Sequence, residues 1–315
     1  MSTVLKRFSL VGVAVALLAT GCGTGPAKAG SAAIVGDQAI TLKTVQDRTV
    51  RVLNKEPGAK QARDRGQFKL EQVSRAVLAN EILHRFAENA AQRENITVDE
   101  TKVYDVVQQA GGPEAASADS LNDATNIHRQ VRDGLIFAEL ARRNLATLQV
   151  TVDFVSVKDP KEAQKMAEQV AADPAKMEEF IQAAPRSTQG SQLSGRDQQL
   201  RISENASLAG TPLWAAKPGT VVVFKTNDQS ATSEVALVKD RRTLPAVPGE
   251  DDIADRADPK LLFDFGKRIA QYLAADLTME VNPRYGVWDP VDTAVKPSEG
   301  ELSGFMGPVA TKNKS

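Results

Sequence analysis

The sequence is poor in the residues from which most catalytic and redox sites are built. It has one cysteine and two histidines, and aromatic residues make up 5% of it. With Cys22 alone, no intrachain disulfide, cysteine-rich zinc site or CxxC redox pair can form. His84 and His128 both fall in helix-patterned segments and read as packing or surface residues, so no metal site is expected. Neither sign of charge is in excess: 39 Lys and Arg face 40 Asp and Glu, a formal net charge of −1. Proteins that work mainly on nucleic acid are usually more basic, so nucleic acid is not expected as a partner. The P-loop, the dinucleotide-binding G-x-G-x-x-G, H-E-x-x-H and G-x-S-x-G are all missing. Gly111-Gly112-Pro113 is a loop and not a phosphate cradle, so no small-molecule cofactor is expected.

Long apolar runs are missing too. The longest, Phe8 to Leu18, is too short to span a bilayer comfortably. It follows Lys6-Arg7 and runs into Leu18-Ala19-Thr20-Gly21-Cys22. A positive start, a short apolar stretch and small residues form a signal-peptide pattern. Ending on a cysteine, it resembles the lipobox of bacterial lipoproteins. That resemblance implies cleavage before Cys22, acylation of its thiol, and a body held by lipid on the extracytoplasmic face of the cell membrane. Two or three acyl chains anchor stably where one is marginal. Residues 1–21 are then the signal peptide, and the small residues of 22–31 a tether.

The body begins at Ala32-Ala33-Ile34-Val35, followed by Gly36-Asp37 and Gln38-Ala39-Ile40, a short hairpin pattern. Thr41 reads as a helix N-cap, with Leu42, Val45, Thr49 and Val52-Leu53 at helical spacing. A two-stranded hairpin needs a third strand or a packed helix, and the C-terminal end is expected to return and supply it. From Gln67 to Arg93 a long helix is expected. Leu70, Val73, Val77, Leu83 and Phe86 lie on one face, and Glu71, Arg75, Glu81, Arg85 and Glu88 on the other. Thr97-x-x-Glu100 is a capping box opening a third helix. A polar loop from 111 to 120 precedes a fourth, from Leu121 to Leu148. The order V-x-G-x-x-I-T, helix, I-T-x-x-E, helix resembles the start of the SurA-like family of bacterial extracytoplasmic chaperones, and PrsA foldases begin similarly.

From Gln149 the texture changes. Val150 to Val157 is a strand by alternation and β-branching. Two helices follow, then a polar loop from Pro185 to Leu208, a turn through Trp214 and Lys217-Pro218-Gly219, and strands at Val221–Phe224 and Ser233–Lys239. This order, with the WAAKPG turn, resembles a parvulin domain, a prolyl-isomerase fold. The resemblance implies a α+β fold class. A helical SurA-like N-terminal domain (32–148) would be completed by a C-terminal helix and strand (259–290), with a parvulin-like α/β domain inserted at 149–242. A linker (243–258) and a disordered tail (291–315) are expected around that last part.

Parvulin catalysis, as the resemblance implies it, needs histidines on the first and last strands and an apolar proline pocket. Aligned by pattern, those positions hold Asp153 and Glu234. The G-G-D-L-G loop reduces to Gly190-Ser191-Gln192-Leu193-Ser194, and the pocket wall falls on Asn205 and Ala209, near Trp214. None of these carries the family's chemistry. Asp153 and Glu234 are read either as solvated carboxylates or as a pair on adjacent strands, the arrangement acid–base work would need. The expected function is a membrane-anchored chaperone that binds unfolded secreted polypeptides without isomerase catalysis, with a crevice between the domains as its binding surface. The alternatives are an adaptor lipoprotein docking one folded envelope partner, and a weak isomerase.

Overall fold

The computed structural model describes residues 29–55, 69–118, 120–185, 193–227, 229–245 and 253–310. The expected signal peptide, Cys22 and most of the tether lie outside them. In chain order the first half holds β1 (Ser31–Val35), β2 (Gln38–Thr41), α1 (Leu42–Leu53), α2 (Leu70–Arg93), α3 (Glu100–Gln109), α4 (Pro113–Ser117) and α5 (Ile127–Leu145). Then come β3 (Leu148–Val157), α6 (Pro160–Ala172), α7 (Lys176–Ala183), β4 (Ser194–Arg201), β5 (Thr220–Phe224) and β6 (Ser233–Thr243). The last part holds α8 (Ile253–Arg256), α9 (Pro259–Leu273), β7 (Met279–Val281), β8 (Val287–Asp289), β9 (Ala294–Lys296) and β10 (Phe305–Pro308).

Val35 lies opposite Gln38, so Gly36 and Asp37 alone turn the first hairpin. Gly36 sits at φ 62°, a backbone conformation that a Cβ disfavours. The third strand is β7, antiparallel to β1 with Ile34 opposite Glu280, which gives the order β2-β1-β7. Backbone bonds extend this pairing at both ends: Gly36 N–H donates to Thr278 at 2.8 Å, and Asn282 N–H to Ala32 at 2.9 Å. Thr41 caps α1, its hydroxyl accepting from the Thr44 N–H at 3.0 Å.

Helices α1, α2, α3 and α5 pack around Val45, Val77, Ile82, Phe86, Val107 and Leu140. Thr97 does not cap α3. Asp99 does, accepting from the Thr101 N–H at 2.9 Å, and its charge suits the positive end of the helix dipole. The 111–120 stretch is not all loop, because Pro113 starts α4 there. Glu81 is not on an outer face. It is 2% exposed, because α1 and α5 cover both flanks of α2. Leu70, expected in the core, is 56% exposed.

The larger sheet has the order β10-β5-β6-β3-β4, antiparallel throughout. Alternation along its strands sorts two buried faces. Val155, Val157, Val221, Val223 and Val235 pack against Ala163, Ala167 and Val170 of α6. Val150, Val152, Val222, Phe224, Ala236 and Val238 join the core of the helical body. α9 lies between sheet and helices, and its Gly266 comes so close to α5 that a Cβ there would stand 1.7 Å from the Phe137 carbonyl oxygen.

Two stretches expected to be irregular hold strands among their described residues; 186–192, with Gly190, Ser191 and Gln192 of the expected loop, lie outside them. The loop from Pro185 to Leu208 contains β4, whose polar sequence suits an edge strand with one side toward water. The tail expected from Val291 is built into the fold as far as residue 310. β9 pairs with β8, and β10 forms the far edge of the large sheet against β5. Its polar groups are satisfied internally: the fully buried Asp289 accepts from the Val291 N–H at 2.9 Å and the Ser303 N–H at 2.7 Å. Of the expected linker, Thr243 belongs to β6 and Ile253–Arg256 to α8, while 246–252 lie outside the described residues.

Candidate functional site

The carboxylates aligned with the parvulin histidines do not meet. On the β3–β6 ladder, Asp153 stands opposite Leu237, and Glu234 stands opposite Ser156. An odd offset of three positions puts them on opposite faces of the sheet. Asp153 accepts from the Asp197 N–H at 2.7 Å and pairs with Lys239 at 3.3 Å. Glu234 accepts from the Ser156 hydroxyl at 2.7 Å and from the Thr232 hydroxyl at 3.3 Å. The paired-carboxylate arrangement is thereby overturned. Leu193 is half-buried just before β4, and its carbonyl accepts from the Ser156 N–H at 2.8 Å.

Trp214 is a core residue. It is fully buried in a short 3-10 turn, its indole N–H donating to the Leu208 carbonyl at 2.7 Å. Its ring meets Phe265 of α9 edge to face, centroids 5.4 Å apart. Arg241 donates to the Trp214 carbonyl at 2.8 Å and lies 3.8 Å above the Tyr272 ring, and burial pulls its guanidinium down to about 10. Arg268 of α9 donates to the carbonyls of Gly210, Pro290 and Val291, and burial pulls it down to about 10 as well. The boundary between sheet and helices is therefore packed where a crevice was expected. A polar pocket of about 320 Å³ opens there, bordered by Thr211, Lys225 and Asp292.

Inside the helical body runs a buried polar network. Glu81 accepts from Arg48 of α1 and from Arg129 of α5, the latter at 2.6 Å. Burial alone would raise its carboxyl; the bonds from Arg129 and the charge of Arg48 outweigh that and hold it below the usual carboxylate range. Asn80 links Arg48 to Gln130 at 3.0 and 2.8 Å. His84 sets Nδ1 2.9 Å from Asp133 and Nε2 3.2 Å from Glu88. Burial raises Asp133 despite the His84 bond. These residues tie α1, α2 and α5 together. His128, half-buried on α5, stacks on Tyr104 instead. Among the described residues no cluster of three or more His, Cys, Asp or Glu side chains is placed to hold a metal.

The larger opening is a groove of about 430 Å³ on the helical body, between α1, the start of α2 and the turn at Arg284-Tyr285. Its apolar wall is Val50, Leu70 and Tyr285, the first two 54% and 56% exposed. Arg75, Arg284 and Glu71 also line it. Helical periodicity placed Leu70 in the core, and only the position of the neighbouring α1 shows that it lines a groove.

No family model matches the sequence, and no curated protein matches it. Among solved structures, the chain is similar to the peptidylprolyl isomerase PrsA from Bacillus anthracis, at 13% identity over 60% of this chain and 92% of that one, with a TM-score of 0.23. It is similar to the foldase protein PrsA from Lactococcus lactis, at 15% identity over 75% of this chain and 85% of that one, TM-score 0.22. For the foldase protein PrsA from Streptococcus pneumoniae the values are 14%, 79%, 94% and 0.24.

Proposed function

We propose that the chain is a lipid-anchored chaperone on the outer side of the cytoplasmic membrane, binding unfolded polypeptide and performing no isomerase chemistry. The observation that carries this reading is the separation of Asp153 and Glu234 onto opposite faces of the sheet, with Trp214 sealed under Phe265. That separation leaves the two carboxylates unable to act as a pair, and the helical body keeps an open groove with exposed apolar side chains in its lining. The lipobox-like sequence ending at Cys22 supports the anchor, and the SurA-like opening of the body supports the chaperone assignment. The test is the aggregation of a denatured model protein at near-equal concentration. Suppression supports the reading. Aggregation that proceeds unchanged beside a folded, monodisperse chain contradicts it, and one tight partner captured by crosslinking in the envelope would replace it with an adaptor role.

A further inference from the structure

The α1–α2 groove brings exposed apolar and cationic side chains together. Val50 and Leu70 are large apolar residues with more than half their surface in water, and both line one depression together with Tyr285. Arg75 and Arg284 also line it, and the side chain of neither has a hydrogen-bond or salt-bridge partner among the described residues. One carboxylate, Glu71, shares the lining, so the cations there outnumber the anions. Guanidinium groups beside apolar surface suit a carboxylate ligand, which they bind through paired, charge-assisted hydrogen bonds. Tyrosine and arginine are also the residues that most often dominate binding energy at protein interfaces.

Resting on the chaperone reading above, we infer that this groove binds an extended polypeptide segment in which an apolar side chain lies next to an acidic one. The apolar side chain covers Val50 and Leu70, and the carboxylate sits between Arg75 and Arg284. A segment with the same apolar residues and a lysine in place of the acid is disfavoured by like charge. Clients are thereby sorted by charge as well as by hydrophobicity.

The test uses the full chain in phospholipid nanodiscs and fluorescent twelve-residue peptides whose Leu-Val core is flanked by Glu, Gln or Lys. Anisotropy is expected to show the Glu peptide binding about tenfold tighter than the Gln peptide, the difference that one charge-assisted contact makes. The double variant Arg75→Glu, Arg284→Glu is expected to reverse the order and favour the Lys peptide, a gain that mere unfolding cannot produce. Equal binding of all three peptides overturns the inference. So does Glu-peptide binding that appears only after residues 56–68 are replaced by Gly-Ser repeats, since the chain's own segment would then be the occupant. Aggregation suppression is measured on the same samples. Suppression without charge-dependent peptide binding sinks the groove and leaves the chaperone reading, and peptide binding without suppression does the reverse.

Discussion

Trp214 and Phe265 meet at 89° with ring centroids 5.4 Å apart, which fastens the α/β sheet to the C-terminal helix. Both side chains are fully buried. Edge-to-face pairs add about 0.5–1.5 kcal/mol beyond the area they bury. Phe265→Ala is expected to cost about 3–5 kcal/mol in all. Urea unfolding followed by tryptophan fluorescence and by circular dichroism measures it. A change under about 1 kcal/mol would mean that the junction is not packed as described.

Gly266 and Gly134 make a paired test. A Cβ at 266 would stand 1.7 Å from the Phe137 carbonyl oxygen, and one at 134 meets nothing within 4 Å. Gly266→Ala must therefore push α9 off α5, at a cost of about 3 kcal/mol or more. Gly134→Ala, within α5, is expected to stabilise by roughly 0.5–1 kcal/mol, because alanine loses less backbone freedom on entering a helix. Thermal unfolding of the two variants separates these outcomes, and equal shifts would refute the close approach.

The buried network predicts an acid limb to stability. Glu81 and Asp123 are both held below the usual carboxylate range: burial opposes this in each, and Arg129 with Arg48, or Thr125 with Arg51, outweighs it. A carboxyl lowered by folding contributes stability above its unfolded pKa of about 4, and that stability is lost as pH falls through the folded value. Asp133, raised by burial, has the opposite sign: its contribution is full below about pH 4 and lost as pH rises through the folded value. Glu81→Gln strands Arg48 and is expected to cost about 3–5 kcal/mol at pH 7. It should also flatten the decline of the urea midpoint between roughly pH 5 and pH 2. An unchanged slope in the variant would show that Glu81 is not the titrating hub.

Deleting residues 305–315 removes β10 and bares the edge of β5, where Val221 to Val223 are buried. The loss is expected to be roughly 2–3 kcal/mol, of the order of burying one large apolar side chain. An open apolar edge also invites pairing between chains. Light scattering should therefore rise in the truncated protein, and a truncated chain as stable and monodisperse as the parent would speak against this account.

Local signals in the sequence located local structure well. Gly36 at its turn, Thr41 as a cap and the alternation of Val150 to Val157 needed only their neighbours to be read. What the sequence hid depends on neighbours distant in the chain. Glu81 looks like a solvated helix residue until α1 and α5 close over it. Leu70 reads as core because periodicity assigns it a face but cannot say that the face lies beside a groove. β4 and β10 are polar or glycine-containing edge strands, and edges need no apolar alternation. Asp153 and Glu234 failed as a pair on register, which only the strand ladder reveals.

Refolding of a model protein whose last step waits on X-Pro isomerisation tests the central claim most directly, because yield and rate are read in one trace. Uncatalysed exchange takes tens of seconds or more. With the chain present at near-equal concentration, the refolded yield is expected to rise while the rate of the slow phase stays unchanged. A faster slow phase, abolished by substituting Asp153 and Glu234, would contradict the account and make the sheet a working isomerase.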